Sequence, residues 1–444
     1  MFRPAPLSIA AIPLIVFALL LTQANQSTPE AASAQWLGAI QPVTSPAAPR
    51  DSAQPQITVQ GERAVLSWIE REGTRATLKF AEWSAPASSG WSDAKTVAAG
   101  DDFFVNWADV PSVRALGDGS LAAHWLQKSG AGTYAYDVKL AFSKDGGRSW
   151  TPAVSPHSDG TQTEHGFASL FQAPGAGAGL GLVWLDGRAM KSGSHGSGSA
   201  AGAGGKSGAA AGHGDEDRGA MTVRAAIYGA DGVQKSETLV DARVCECCPT
   251  TATVTSEGVI AAFRNRAEGE IRDIYVSRLD ANTGKWSEPA AVHADNWMMP
   301  ACPVNGPSLS ASGRRVAIAW FTMQQDQGHA FVAFSDDAGR TFGKPVRIDD
   351  ELSLGRVDVE LLADGSAVAS WIEYATADSS TSFRIRRIER SGTLSPPITV
   401  TAIGSGRTSG YPRMARVGHE LLFAWTDTSA TPARLATARA RLTP

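Results

Sequence analysis

Net charge is close to absent: 40 Lys and Arg stand against 44 Asp and Glu, a formal balance of -4 over 444 residues. A nucleic-acid partner normally requires a basic surface, so that class is excluded. Long apolar runs are also scarce. The one present, Leu7 to Leu21, follows Arg3 and precedes Ala32-Ser33-Ala34, which is signal-peptide grammar and too short for a comfortable membrane span. Residues 1–34 are therefore expected to be a leader, with no membrane span once it is removed and a periplasmic or secreted destination. Cysteine is rare, with four residues at 245, 247, 248 and 302. Glycine and proline, at 45 and 24, are plentiful and imply many turns between short strands.

An apolar strand ending in an aromatic recurs seven times, at Trp68, Trp125, Trp184, Phe263, Trp320, Trp371 and Trp425. The steps are roughly 50–60 residues with one near 80, the period of small antiparallel sheets arranged as propeller blades. The long step holds a Gly/Ala/Ser/His-rich tract at 189–219. Such a composition cannot bury enough apolar surface to offset its ordering entropy, so it is expected to be a disordered loop insertion within the third blade. The fold expected over 35–444 is a single all-β domain, a seven-bladed β-propeller of four-stranded antiparallel blades. The last repeat lacks a fourth strand before Pro444, so the segment from Gln35 to Val43 is expected to supply it and close the ring.

One turn occurs twice. Val138 to Phe142 alternates like a strand with one face more buried and runs into Ser143-Lys144-Asp145-Gly146-Gly147-Arg148-Ser149-Trp150; Phe334-Ser335-Asp336-Asp337-Ala338-Gly339-Arg340-Thr341-Phe342 repeats the pattern. An Asp can accept backbone N–H groups of its own turn, Gly supplies a backbone angle other residues resist, and the aromatic caps the layer beneath. These segments resemble the Asp-box of the sialidase superfamily. That resemblance implies a propeller, for which six blades, as in known sialidases, is the alternative to the seven counted.

In a propeller the turn from the third to the fourth strand lies on one face. The junctions between blades, and the loops from second to third strand, lie on the other, where ligands usually sit. Those loops carry Asp109, Glu164, His165, Arg188, Arg264, Arg266, Asn305, Arg356, Asp358, Tyr411 and Arg413. The family resemblance implies three arginines that clamp a substrate carboxylate, a Tyr nucleophile assisted by a Glu, and an Asp acid-base, an exception to the two-carboxylate scheme. Carried onto this chain, the catalytic candidates are Tyr411, Asp109, Arg188, Arg264 and Arg413. Glu164, His165, Arg266, Asn305, Arg356 and Asp358 are candidate ligand contacts, with Glu164 and His165 read as a hydrogen-bonded pair. The family's Phe/Tyr-Arg-Ile-Pro segment is missing from the first repeat, where Gln54-Pro55-Gln56-Ile57 stands.

All four cysteines fall in two consecutive junctions, which places them on neighbouring blades. In an oxidising compartment a cross-blade disulfide is one expectation. Cys-x-Cys-Cys gives awkward geometry for a second bond, so a soft-metal site for copper or zinc on Cys245, Cys247, Cys248 and Cys302, or thiol-redox chemistry, is the alternative. The functional readings that remain are a non-catalytic propeller binding a glycan or an envelope or extracellular protein on its loop face, an exo-α-sialidase-type glycoside hydrolase, and a metal or redox centre at the cysteines. No cofactor is identified by the sequence, and a monomer is expected.

Overall fold

The computed structural model describes residues 1, 36–84, 90–175, 179–190 and 219–443. The expected leader and nearly all of the 189–219 insertion lie outside the described residues. Within them the chain is built of strands, with two three-residue 3-10 turns at 268–270 and 407–409 and no helix long and apolar enough to cross a membrane.

Seven antiparallel sheets follow one another along the chain. Their innermost strands are Ser52–Gln60, Ser112–Ala115, His165–Gln172, Thr251–Thr255, Ser308–Ser312, Leu352–Leu361 and Arg413–Val417. Each contacts the next, and the last contacts the first, so the ring is closed. The seven aromatics that define the sequence repeat all lie on the second strands: Arg63–Glu72, Leu121–Lys128, Leu180–Asp186, Gly258–Arg264, Arg315–Gln324, Ala367–Tyr374 and Glu420–Asp427. Trp68, Trp184, Phe263, Trp320 and Trp371 are fully buried between blades. Three of these tryptophans solve the problem of a buried indole N–H identically, donating to a carboxylate two residues along the same strand: Trp68 to Glu70, Trp184 to Asp186 and Trp371 to Glu373.

The seventh blade is completed by the start of the domain. Gln41–Val43 pairs with Arg434–Arg441, Gln41 opposite Arg439, and Leu37 bridges Leu442. Six sheets have four strands. The second has three, its fourth reduced to a bridge between Leu140 and Val154. Pro152 and Pro156 flank that bridge and have no N–H to extend a ladder.

The two repeated turns have the same wiring. Asp145 accepts from the Ser149 N–H (2.9 Å), the Ser149 hydroxyl (2.6 Å) and the Ser143 hydroxyl (2.9 Å), while Ser143 accepts from the Gly147 N–H (2.8 Å). Asp337, Thr341, Ser335 and Gly339 repeat each contact. Gly147 and Gly339 are required on two counts. Both have positive φ, 83° and 78°, and a Cβ would stand 2.3 Å from the Phe80 ring or 2.2 Å from Ile260 Cδ1. These turns therefore lock one blade onto its predecessor, on the face opposite the junction loops.

The inner strands surround a narrow axial channel with a cavity of about 250 Å³, whose wall includes Asp109, Ser310, Asp358, Glu360, Tyr411 and Arg413. Its mouth on the junction face is where the candidate residues gather.

Candidate functional site

The cysteines come together, but not as a disulfide. All four are free thiols. The turn after Asp241 directs three of them into one pocket: Cys245 Sγ lies 3.5 Å from Cys248 Sγ and 3.8 Å from Cys247 Sγ, and the three sulfurs fall within 4.8 Å of one another. Cys245 and Cys248 are buried, whereas Cys302, on the next junction, is exposed. The expected cross-blade staple is thus replaced by a sulfur nest. The Cys245 N–H is anchored on the Arg264 carbonyl (3.0 Å), and the Asn305 N–H points at Cys248 Sγ (3.4 Å).

Burial pushes the Cys245 thiol up to about 11 and raises Cys247 as well. Cys248 moves the other way. Burial opposes its ionisation, but hydrogen bonds from Cys245 and Cys247, the Arg264 guanidinium and the Asn305 N–H together hold it well below the usual thiol range. The nest therefore holds one thiol, Cys248, shifted toward ionisation beside two shifted away from it.

Of the three expected clamp arginines, Arg188 and Arg264 are engaged by protein groups, whereas Arg413 lines the channel with its buried Nε lacking a hydrogen-bond partner. Arg264 donates to the carbonyls of Asn305 (2.9 Å), Phe321 (2.7 Å) and Arg272, and lies over the Trp297 ring. It bolts two blades together. Arg188 binds Asp186 through both Nε and Nη2 (2.7 Å each) and reaches Glu237 (2.8 Å). Arg266 and Arg272 share Glu246 and Glu270 in a four-membered ion cluster. Arg356, expected as a ligand contact, donates instead to Ser409 Oγ (2.8 Å) and the carbonyls of Gly406 and Gly410 (3.0 Å each), over the Trp107 ring. Arg413 stacks on the Tyr411 ring and faces the channel near Asp358.

Tyr411 is buried, parallel to Trp107, and its hydroxyl donates to the Val304 carbonyl (2.6 Å). Burial raises its pKa, so it is held as a neutral donor rather than poised to attack. Asn305 and Asp358 are joints between blades. Asn305 Oδ1 accepts the Arg356 N–H (2.8 Å), and Asp358 accepts the Ser308 hydroxyl (2.6 Å) and the Met414 N–H (3.2 Å).

Asp109 and Glu164 meet at a residue the sequence reading missed. The Tyr136 hydroxyl lies 2.7 Å from Glu164 Oε1 and 3.1 Å from Asp109 Oδ2, and Asp109 also accepts the Phe167 N–H (2.7 Å). A phenol has one proton for two carboxylates, so one acid must carry its own. Burial raises Asp109 to about 7 and Glu164 to about 8, the latter helped by the charges of Asp109, Cys302 and Glu246. Tyr136 is sealed beneath Phe104, stacked at 3.9 Å, so this Tyr-Glu pair has no access to a substrate.

The expected pairing of Glu164 with His165 also fails. His165 turns to the other side of the strand and stacks on His157, another residue the sequence reading passed over. His157 lies in a link with no strand periodicity; only its spacing of two from Asp159 marked it.

No family model matches the sequence, and no curated protein sequence does either. Solved structures do. A Dyadobacter fermentans protein of unknown function is 13% identical with a TM-score of 0.52, covering 92% of this chain and 100% of its own. The polysaccharide lyase Uly1 is 9% identical with a TM-score of 0.49, covering 89% and 90%. The Penicillium chrysogenum α-L-arabinanase solved with arabinobiose is 10% identical with a TM-score of 0.42, covering 91% and 96%. At such identities the likeness is one of fold alone.

Proposed function

We propose that this protein is an exported propeller of sialidase-like architecture that engages a glycan or an envelope or extracellular protein on its junction face, and that the chemistry of that face is a thiophilic metal ion held by Cys245, Cys247 and Cys248. The observation that carries this is the sulfur spacing. Thiolates about 2.3 Å from one tetrahedral ion stand about 3.8 Å apart, and the separations here are 3.5 and 3.8 Å with no S–S bond. The buried Arg264 and Arg272 supply the positive charge that three thiolates around a zinc or cuprous ion need, since they favour ionisation of Cys248 and Cys245. Cys302, which Cys247 senses, is on the exposed side and is the natural fourth ligand or the side from which a partner approaches.

A glycosidase reading has less support. Arg188, Arg264 and Arg356 already hold protein carboxylates or carbonyls, which leaves Arg413 as the one expected clamp cation without such a partner, and Tyr411 is bonded to a backbone carbonyl. The test is elemental analysis and thiol alkylation of protein recovered from an oxidising compartment without chelator. The wild type is expected to carry one equivalent of zinc or copper more than Cys248→Ser. Metal-free protein with a Cys245–Cys248 disulfide in peptide mapping would end the proposal, and turnover of an α-sialoside abolished by Tyr411→Phe would restore the hydrolase.

A further inference from the structure

A second cluster lies away from the sulfurs, where the third strand of blade 2 (Tyr136–Ser143), the link after it and the first strand of blade 3 converge. Asp137, His157, Asp159 and His165 meet there. His165 is completely buried, and neither of its ring nitrogens has a hydrogen-bond partner; His157 Nε2 and Asp159 Oδ2 are likewise buried without a hydrogen bond, the latter with the Arg188 guanidinium at 3.4 Å. Leaving four such atoms together is costly unless something absent from a protein-only inventory joins them.

The arrangement has two sides. The imidazoles stack at 3.7 Å with 9° between planes. On one edge His157 Nδ1 and His165 Nε2 face Asp159 Oδ2 at 3.2 and 3.3 Å. On the other, His157 Nε2 and His165 Nδ1 face Asp137 Oδ1 at 3.8 and 3.6 Å. The first edge suits N–H groups aimed at a carboxylate that sets ring orientation and tautomer. That choice leaves two nitrogen lone pairs turned toward a carboxylate oxygen, which repel unless a cation sits between them.

We propose that His157 Nε2, His165 Nδ1 and Asp137 Oδ1 bind a divalent first-row transition ion, with Asp159 as the positioning carboxylate behind both rings. Separations of 3.6 and 3.8 Å are too long for hydrogen bonds; they sit at and just beyond the spacing, about 3.0–3.6 Å, between two ligands each about 2.1 Å from one ion, so binding draws the three atoms together. Because the rings are parallel and 3.7 Å apart, both lone pairs reach one ion only when the stack opens, so loading the site has to tilt the two imidazoles apart. Asp137 keeps its other oxygen on Lys139 (3.1 Å), while Asp159 Oδ1 takes the Thr161 N–H (2.9 Å), so both carboxylates are fixed from behind. Two imidazoles and a carboxylate suit manganese through zinc rather than a soft ion, which separates this site chemically from the cysteine nest. Since its ligands come from two blades and the link between them, the ion is a staple between blades 2 and 3, beside Arg188, whose guanidinium lies 3.4 Å from Asp159.

The probe is Mn2+, indifferent to thiols, titrated into the full chain and followed by the loss of its free EPR signal, with Zn2+ calorimetry repeated on Cys248→Ser. Saturable binding of one ion per chain is expected, weakened at least tenfold by His157→Gln and by Asp137→Asn and unchanged by Cys248→Ser, with a rise in Tm on loading that the two site variants lose. No saturable uptake of either ion would overturn the site, as would unaltered uptake by either folded site variant. A metal-insensitive protein whose two imidazoles instead share a proton, seen in the histidine NMR signals, would overturn it too. Loss of binding in Cys248→Ser alone would assign the metal to the sulfurs.

Discussion

Replacing Glu164 with Gln tests the buried proton of the Asp109, Tyr136 and Glu164 trio. Both acids are raised in the folded protein, to about 7 and about 8, whereas in the unfolded chain they titrate near their ordinary values of 3.8 and 4.5. Their contribution to stability is therefore complete below the unfolded values and is lost as pH rises through the folded ones. Because they share one phenol they titrate as a unit, and one retained proton is the safe count between pH 5 and 7. One proton held by the folded state alone changes stability by about 1.4 kcal/mol per pH unit, so roughly 3 kcal/mol is lost across that interval. Glu164→Gln keeps the shape and cannot titrate, leaving Asp109, which burial raises, as the remaining acid. Urea unfolding followed by tryptophan fluorescence at pH 5, 6, 7 and 8 should then show the variant gaining on the wild type as pH rises. A difference that is flat with pH, or that runs the other way, would refute the shared-proton reasoning.

The remaining predictions concern the ring and the nest. Gly147→Ala and Gly339→Ala should each cost about 2–4 kcal/mol in urea unfolding, since each combines a disfavoured backbone angle with a Cβ inside Phe80 or Ile260. Leu37→Ala, which empties a buried position beside the closing strand, should cost about 2–4 kcal/mol in the same assay, and a cost near zero would mean that the ring does not depend on this segment. Arg264→Met should leave three buried carbonyls unpaired, destabilise the protein by at least about 3 kcal/mol and lower metal content at the cysteines together with stability.

The ring was legible in the sequence because a propeller repeats its physics. An aromatic on the second strand of every blade, tryptophan in six of the seven, leaves a period that survives divergence elsewhere, and the same period placed Cys302 one blade on from Cys245 to Cys248. What one blade does to its neighbour was not legible. Arg264 looks like a free cation until Phe321 and Asn305, both from the following repeat, present their carbonyls. Arg356 is tied to a 3-10 turn some fifty residues later. Glu164 and His165 are adjacent in sequence, but alternation along an extended chain sends them to opposite sides, one to Tyr136 and one to His157. Charge type and position suggested a site, and partners supplied by other blades decided which residues were available for it.

The closing strand has a consequence for the order of events. Gln41 and Arg439, paired across the seventh blade, are separated by about 400 residues, so the contact that completes the ring has nearly the greatest loop-closure distance the chain allows. During synthesis the first blade emerges while its eventual neighbour does not yet exist. Until the last strand, Arg434–Arg441, arrives, Gln41–Val43 has no edge to join and the inner face of blade 1 has no blade 7 to cover it. A truncation near the C-terminus would therefore do more than shorten one blade. It would leave a horseshoe with two unpaired rims, the kind of intermediate that chaperones hold and proteases remove.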